Sequence, residues 1–112
     1  MGTNLVVYIN GSRRLEFDRG RPLPGQVRNR LEALELELAR GVELPQGRID
    51  TPTTEQKAHF AIEQLLNQLT REAGDSAVAS LWCAYVATRL PALAAIRGAE
   101  TPEGFEVDLQ FD

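Results

Sequence analysis

Most of the residue types on which chemistry depends are scarce in this chain. Among its 112 residues there is one cysteine, Cys83, and one histidine, His59. A single thiol excludes an internal disulfide and fits a reducing compartment. A Ser-His-Asp triad would have to use His59, and no nucleophile or oxyanion loop accompanies it. Its i, i+4 neighbour Glu63 makes it read as one half of a surface pair on a helix. One Cys and one His do not supply the roughly four ligands of a zinc site, so neither a metal nor a cofactor is expected. Neither G-x-x-x-x-G-K-[ST] nor G-x-G-x-x-G occurs, which removes the phosphate-cradling loops. The start, MGTNLVVYING, lacks a basic region ahead of a long apolar run, so no signal peptide is expected. Val6 also stands where N-myristoylation wants Ser or Thr. The expected location is the cytoplasm.

Lysine is nearly missing as well. Eleven of the twelve basic residues are Arg, a bias that points to a GC-rich bacterial genome. Six of them (Arg13, Arg14, Arg19, Arg21, Arg28 and Arg30) fall in the first thirty residues against two acids, while the remaining chain holds fourteen acids. A basic N-terminal lobe on an acidic body favours self-association or a charged partner. Nucleic acid is not the expected partner: the net charge is −4, and no aromatic side chain interleaves with the arginines to stack a base. The carboxylates Glu32, Glu35, Glu37, Glu100, Glu103, Glu106 and Asp108 read as solvated surface, because only paired and partly buried acids do acid–base work.

What the chain does have is apolar sequence, concentrated between residues 76 and 97. Twenty residues, 77–96, contain a single charge, Arg89, which meets the length of a membrane span. Seven of them are Ala, Arg89 would be costly in lipid, and Pro91 breaks the helix, so a central core helix is expected instead. Cys83 sits in its least polar part, where a thiol is inert. At its kinked end, Trp82, Tyr85 and Arg89 are the candidate ligand-binding residues, Arg89 serving as anion anchor.

The remaining elements follow from periodicity. Leu5 to Phe17 reads LVVYI-NG-SRRLEF, and Asn-Gly between two β-rich runs predicts a two-residue hairpin. An uninterrupted ladder places Val6 opposite Leu15, so Val6, Tyr8, Leu15 and Phe17 form the expected core face. Leu5, Val7 and Ile9 then lie on the back face among charges. With Phe60, which stands on a polar face of a helix, they are the expected interface residues.

Val27, Leu31, Leu34 and Leu38 predict a helix over 25–40 stopped by Gly41. Residues 42–50 read as a loop, and Thr51-Pro52 as the start of a second helix reaching about residue 73. Leu90 to Arg97 reads as a short separate helix stopped by Gly98. FEVDLQF at 105–111 is a strand of strict alternation. The expected architecture is a single α+β domain over 1–112, ββαααβ. A three-stranded sheet of order 2-1-3 carries three to four helices on one face.

No motif identifies a reaction. The expected function is therefore a non-catalytic bacterial accessory or protein-interaction domain. Its expected partners are a second copy of itself, as a homodimer, and another protein, with no membrane. The alternative is a small-ligand-binding domain or minor enzyme with a pocket beside the Leu90-Pro91 kink.

Overall fold

The computed structural model describes residues 4–44, 47–71 and 76–111. In chain order the elements are β1 (Leu5–Ile9), β2 (Ser12–Phe17), α1 (Gly25–Ala39), β3 (Val42–Leu44), β4 (Gly47–Ile49), α2 (Thr54–Thr70), α3 (Ser76–Arg89), β5 (Leu93–Thr101) and β6 (Gly104–Phe111). The class is α+β with three helices, as expected, but the sheet is not. Four strands form it, in the order β2-β1-β5-β6, and β3 pairs with β4 in a separate hairpin. The three-stranded 2-1-3 sheet is thereby overturned.

The additional strand is β5, whose first residues carry the sequence pattern of a short helix. LAAIRGAET contains good helix formers, but Pro91 has just ended α3, and pairing on both sides outweighs local propensity. β5 runs parallel to β1, with Val7 beside Ile96, and antiparallel to β6, with Ile96 beside Leu109. A four-residue turn, Thr101 to Gly104, joins β5 to β6. It has Pro at its second position and Gly104 at positive φ, 141°. The 105–111 strand exists as predicted, but it borders β5 and ends the sheet.

The Asn-Gly hairpin is present, with Asn10 and Gly11 at φ 51° and 83°. Its ladder is interrupted. Ile9 faces Ser12 and Tyr8 faces Arg13 as the loop dictates, but Val7 then faces Leu15, and Arg14 is the extra residue of a bulge. That one-residue slip reverses the predicted faces. Leu15 and Phe17 do point toward the core, but they take Leu5 and Val7 with them rather than Val6 and Tyr8. Leu5 and Val7 are 0% exposed and Ile9 is 3% exposed, so these three are core and not an interface. Val6 and Tyr8 lie on the outer face, where the Arg97 guanidinium stacks 4.3 Å from the centre of the Tyr8 ring.

The core lies between this sheet and the helices. Ile62, Leu65 and Leu66 of α2 and Cys83, Tyr85 and Val86 of α3 are fully buried against Leu5, Val7, Leu93 and Ile96. α3 is central, as its apolar sequence predicts. α2 begins later than expected. Thr53 is its cap, accepting from the Gln56 N–H, while the Gln56 side chain accepts from the Thr53 N–H, a reciprocal capping box. It ends at Thr70, and the predicted stop at Gly74 lies outside the described residues.

Pro91 leaves α3 with open carbonyls at its end. One of them, Ala87 O, is met from 68 residues away, by a side chain that also reaches the link to β5. Arg19, in the connector after β2, donates to Ala87 O at 2.6 Å, Leu90 O at 3.2 Å and Leu93 O at 2.5 Å. The connector thus caps the last turn of α3 and ties it to the start of β5.

Candidate functional site

The three residues proposed for ligand binding are adjacent on α3 but occupied with one another's neighbours. Trp82 meets Phe60 of α2 edge to face, with ring centres 6.0 Å apart. Phe60 is half-buried in that contact rather than standing free on a polar face. Tyr85 is fully buried, and its hydroxyl donates to Glu35 Oε2 at 2.6 Å. Arg89 lies over the Tyr85 ring, 4.9 Å from its centre, with Nε 3.5 Å from Glu35 Oε1. Lys57 Nζ donates to the same Glu35 oxygen at 3.3 Å. One carboxylate therefore ties α1, α2 and α3 together.

Glu35 is thus not a solvated acid. Burial pushes its carboxyl up, but hydrogen bonds from Tyr85 and Lys57 and the charges of Arg89 and Lys57 outweigh burial and leave it below its ordinary value. Burial, and then the hydrogen bond and charge of Glu35, push the Tyr85 phenol well above its own. Burial likewise pushes the Cys83 thiol up to about 12, only partly relieved by Arg19. A carboxylate held ionised by two hydrogen-bond donors and the nearby Arg89 charge, beside a phenol held neutral, forms a structural tie rather than a proton relay. The sequence signal for it was Glu35 itself, flanking the apolar stripe Leu31-Leu34-Leu38.

Two open clefts lie elsewhere, between α2 and the inner side of β6. A cleft of about 780 Å³ is lined by Glu43, Leu44, Glu63, Glu103, Phe105 and Glu106, among others. A second, of about 290 Å³, is lined by Glu55, His59, Ile62, Leu90, Leu109 and Phe111. The alternation of β6 places Phe105, Val107, Leu109 and Phe111 on this inner side. The helices do not fully cover them: Phe111 is 56% exposed and Val107 36% exposed. A cleft does open beside Leu90, where the kink pocket is expected, but Trp82, Tyr85 and Arg89 do not line it. His59 and Glu63, one turn apart on α2, fall one in each cleft.

The two edges of the sheet differ. β2 carries the bulge at Arg14, whose side chain reaches inward to donate to Leu69 O at 2.6 Å. A bulge and an inward-pointing charge are two of the devices that stop an edge from pairing with another chain. β6 has eight residues without proline or lysine, and no other strand borders its far side among the described residues.

No family model, curated protein or solved structure matches this chain. No helix among the described residues is long and apolar enough to cross a membrane.

Proposed function

We propose that this chain is a non-catalytic protein-interaction domain that receives an extended segment of another protein along the free edge of β6. The carrying observation is the contrast between the edges. β2 is blunted by a bulge and an inward arginine, whereas β6 offers a long unbroken backbone edge beside an open groove that is apolar at its Leu109–Phe111 end. Strand addition uses this pair of features, the backbone for affinity and alternate side-chain pockets for specificity. The non-catalytic part of the reading is supported by the state of the reactive groups. Cys83 and Tyr85 are buried and protonated, and Glu35 is committed to two hydrogen-bond donors and to the ion pair with Arg89. A reducing, cytoplasmic setting in a bacterium is the one that a lone buried thiol and an arginine-rich composition fit.

Self-association, the expectation from sequence, is not part of this proposal. The surface on which it rested, Leu5, Val7 and Ile9, is core. Pairing β6 with a second β6 about a twofold axis sets Asp108 opposite Asp108 or Glu106 in the registers with most overlap, and opposed like charges are destabilising.

The test is binding of labelled nine-residue strand-forming peptides, followed by fluorescence anisotropy and by amide chemical-shift mapping. The expected result is saturable binding with shifts confined to β6 and the facing side of α2, and its loss in Val107→Lys, which sets a charge into the groove. Absence of binding by peptides of any charge up to millimolar concentration refutes the proposal.

A further inference from the structure

The groove differs from the rest of the surface in its charge. Five carboxylates line its two clefts: Glu43, Glu63, Glu103 and Glu106 in the larger and Glu55 in the smaller. Elsewhere Glu16 is ion-paired with Arg13, Asp50 with Arg48, and Glu35 with Lys57 and Arg89. Asp18, Glu32, Glu37, Glu100 and Asp108 have no ion-pair partner among the described residues but line neither cleft. The concavities on the other side of the molecule each include an arginine, Arg30, Arg19 or Arg21. None of the five groove carboxylates has an ion-pair partner among the described residues. No Lys or Arg lines either cleft. The residues outside the described set include no lysine or arginine.

Between these acids the floor is apolar, made of Leu44 and Phe105 at one end and Ile62, Leu90, Leu109 and Phe111 at the other. The two ends are therefore unlike. One is apolar with Glu55 and His59 at its rim, and the other is dominated by carboxylates. They are four residues apart along β6, from Phe105 to Leu109, which is about 13 Å at roughly 3.3 Å per residue. Positions four apart in an extended chain share a face.

We infer that the occupant of this edge is an extended protein segment with a large apolar side chain and, four residues from it on the same face, a lysine or arginine. The apolar residue enters the cleft between Ile62, Leu90, Leu109 and Phe111. The cation meets Glu43, Glu63 and Glu103. This rests on the edge-binding function proposed above and adds the chemistry of the partner.

Three labelled nonapeptides test it, each with Phe at position 3 and with Lys, Gln or Glu at position 7, together with a control whose Lys is moved to position 6. At 50 mM salt the Lys peptide is expected to bind at least tenfold more tightly than the Glu peptide, with Gln between them and the displaced control near Gln. The ratio should shrink toward one at 1 M salt. The double variant Glu63→Lys/Glu103→Lys changes only surface positions and should reverse the order. Equal binding of all three with shifts at β6 overturns the inference while leaving the edge-binding function standing. Absence of binding overturns both. A preference for Lys that is insensitive to its position, with no shifts at β6, shows general attraction to an acidic protein and also overturns it.

Discussion

Replacing Arg19 with alanine removes the cap of the central helix without touching the core. Its guanidinium donates to three carbonyls, those of Ala87, Leu90 and Leu93, at 2.5 to 3.2 Å. Hydrogen bonds from a charged donor contribute about 1.5–3 kcal/mol each, but three from one group are not additive. Two effects reduce the sum. Pro91 and Ala92 are exposed, so water can reach part of the vacated site, and Arg19 Nε is itself buried without an acceptor. The expected loss is therefore about 2–4 kcal/mol, a large share of the roughly 5–15 kcal/mol that holds a domain of this size. The melting temperature should fall by about 10 °C or more. Arg19→Lys, with three donors on a point charge and no fork, should recover about half of the loss. Urea unfolding read by Trp82 fluorescence measures both, with an unchanged m-value confirming that the unfolded state is comparable. An Arg19→Ala protein within about 0.5 kcal/mol of the parent would refute the assignment of Arg19 as the cap.

Two further outcomes follow from the interior. The Glu35 carboxyl is held below its ordinary value of 4.5, so the unfolded chain binds more protons and stability rises with pH. Its contribution is complete above that ordinary value and fades as pH falls through the folded one. Urea midpoints at pH 7 and pH 3.5 should therefore differ more in the parent than in Glu35→Gln, and equal differences would show that the carboxylate is not stabilised by Tyr85 and Lys57. Gly98 lies under Leu66, whose Cδ1 and Cδ2 would both stand 3.1 Å from an added Cβ. Because Leu66 is fully buried and cannot swing aside, Gly98→Val should cost about 1–3 kcal/mol in the same assay. A valine variant as stable as the parent would mean that the sheet and α2 are less closely apposed than described.

The legible parts of the fold were those with strong local signals. The Asn-Gly turn, the Leu31-Leu34-Leu38 stripe, the proline that ends α3 and the alternation of β6 each state one conformation. β5 was illegible because its sequence is Ala-rich and its pairing partners are distant. The cue that could have revealed it was Thr-Pro-Glu-Gly at 101–104, a turn joining 93–101 to 104–111. The face of β1 was misread for a different reason. Alternation in β2 correctly turned Leu15 and Phe17 inward, but a single bulge residue, Arg14, carries no sequence mark that distinguishes it from a regular strand residue. Of the candidate site, the apolar side chains of β6 were visible in sequence, but their place at a free edge was not. That place depends on β5 lying between β6 and β1.

The parallel pairing of β1 with β5 also constrains how the chain is made. β1 leaves the ribosome before the other strands described here, yet its second neighbour, β5, lies more than eighty residues later. Throughout that interval the hairpin of β1 and β2 has one bare backbone edge, and Leu5, Val7 and Ile9 lack the helices that cover them. The sheet cannot be finished by local steps, because its central seam joins strands more than eighty residues apart. Contacts of such long sequence separation place folding on the slower scale of milliseconds to seconds rather than microseconds. The nascent N-terminal hairpin is then the segment on which a chaperone would act, and the one from which aggregation would begin.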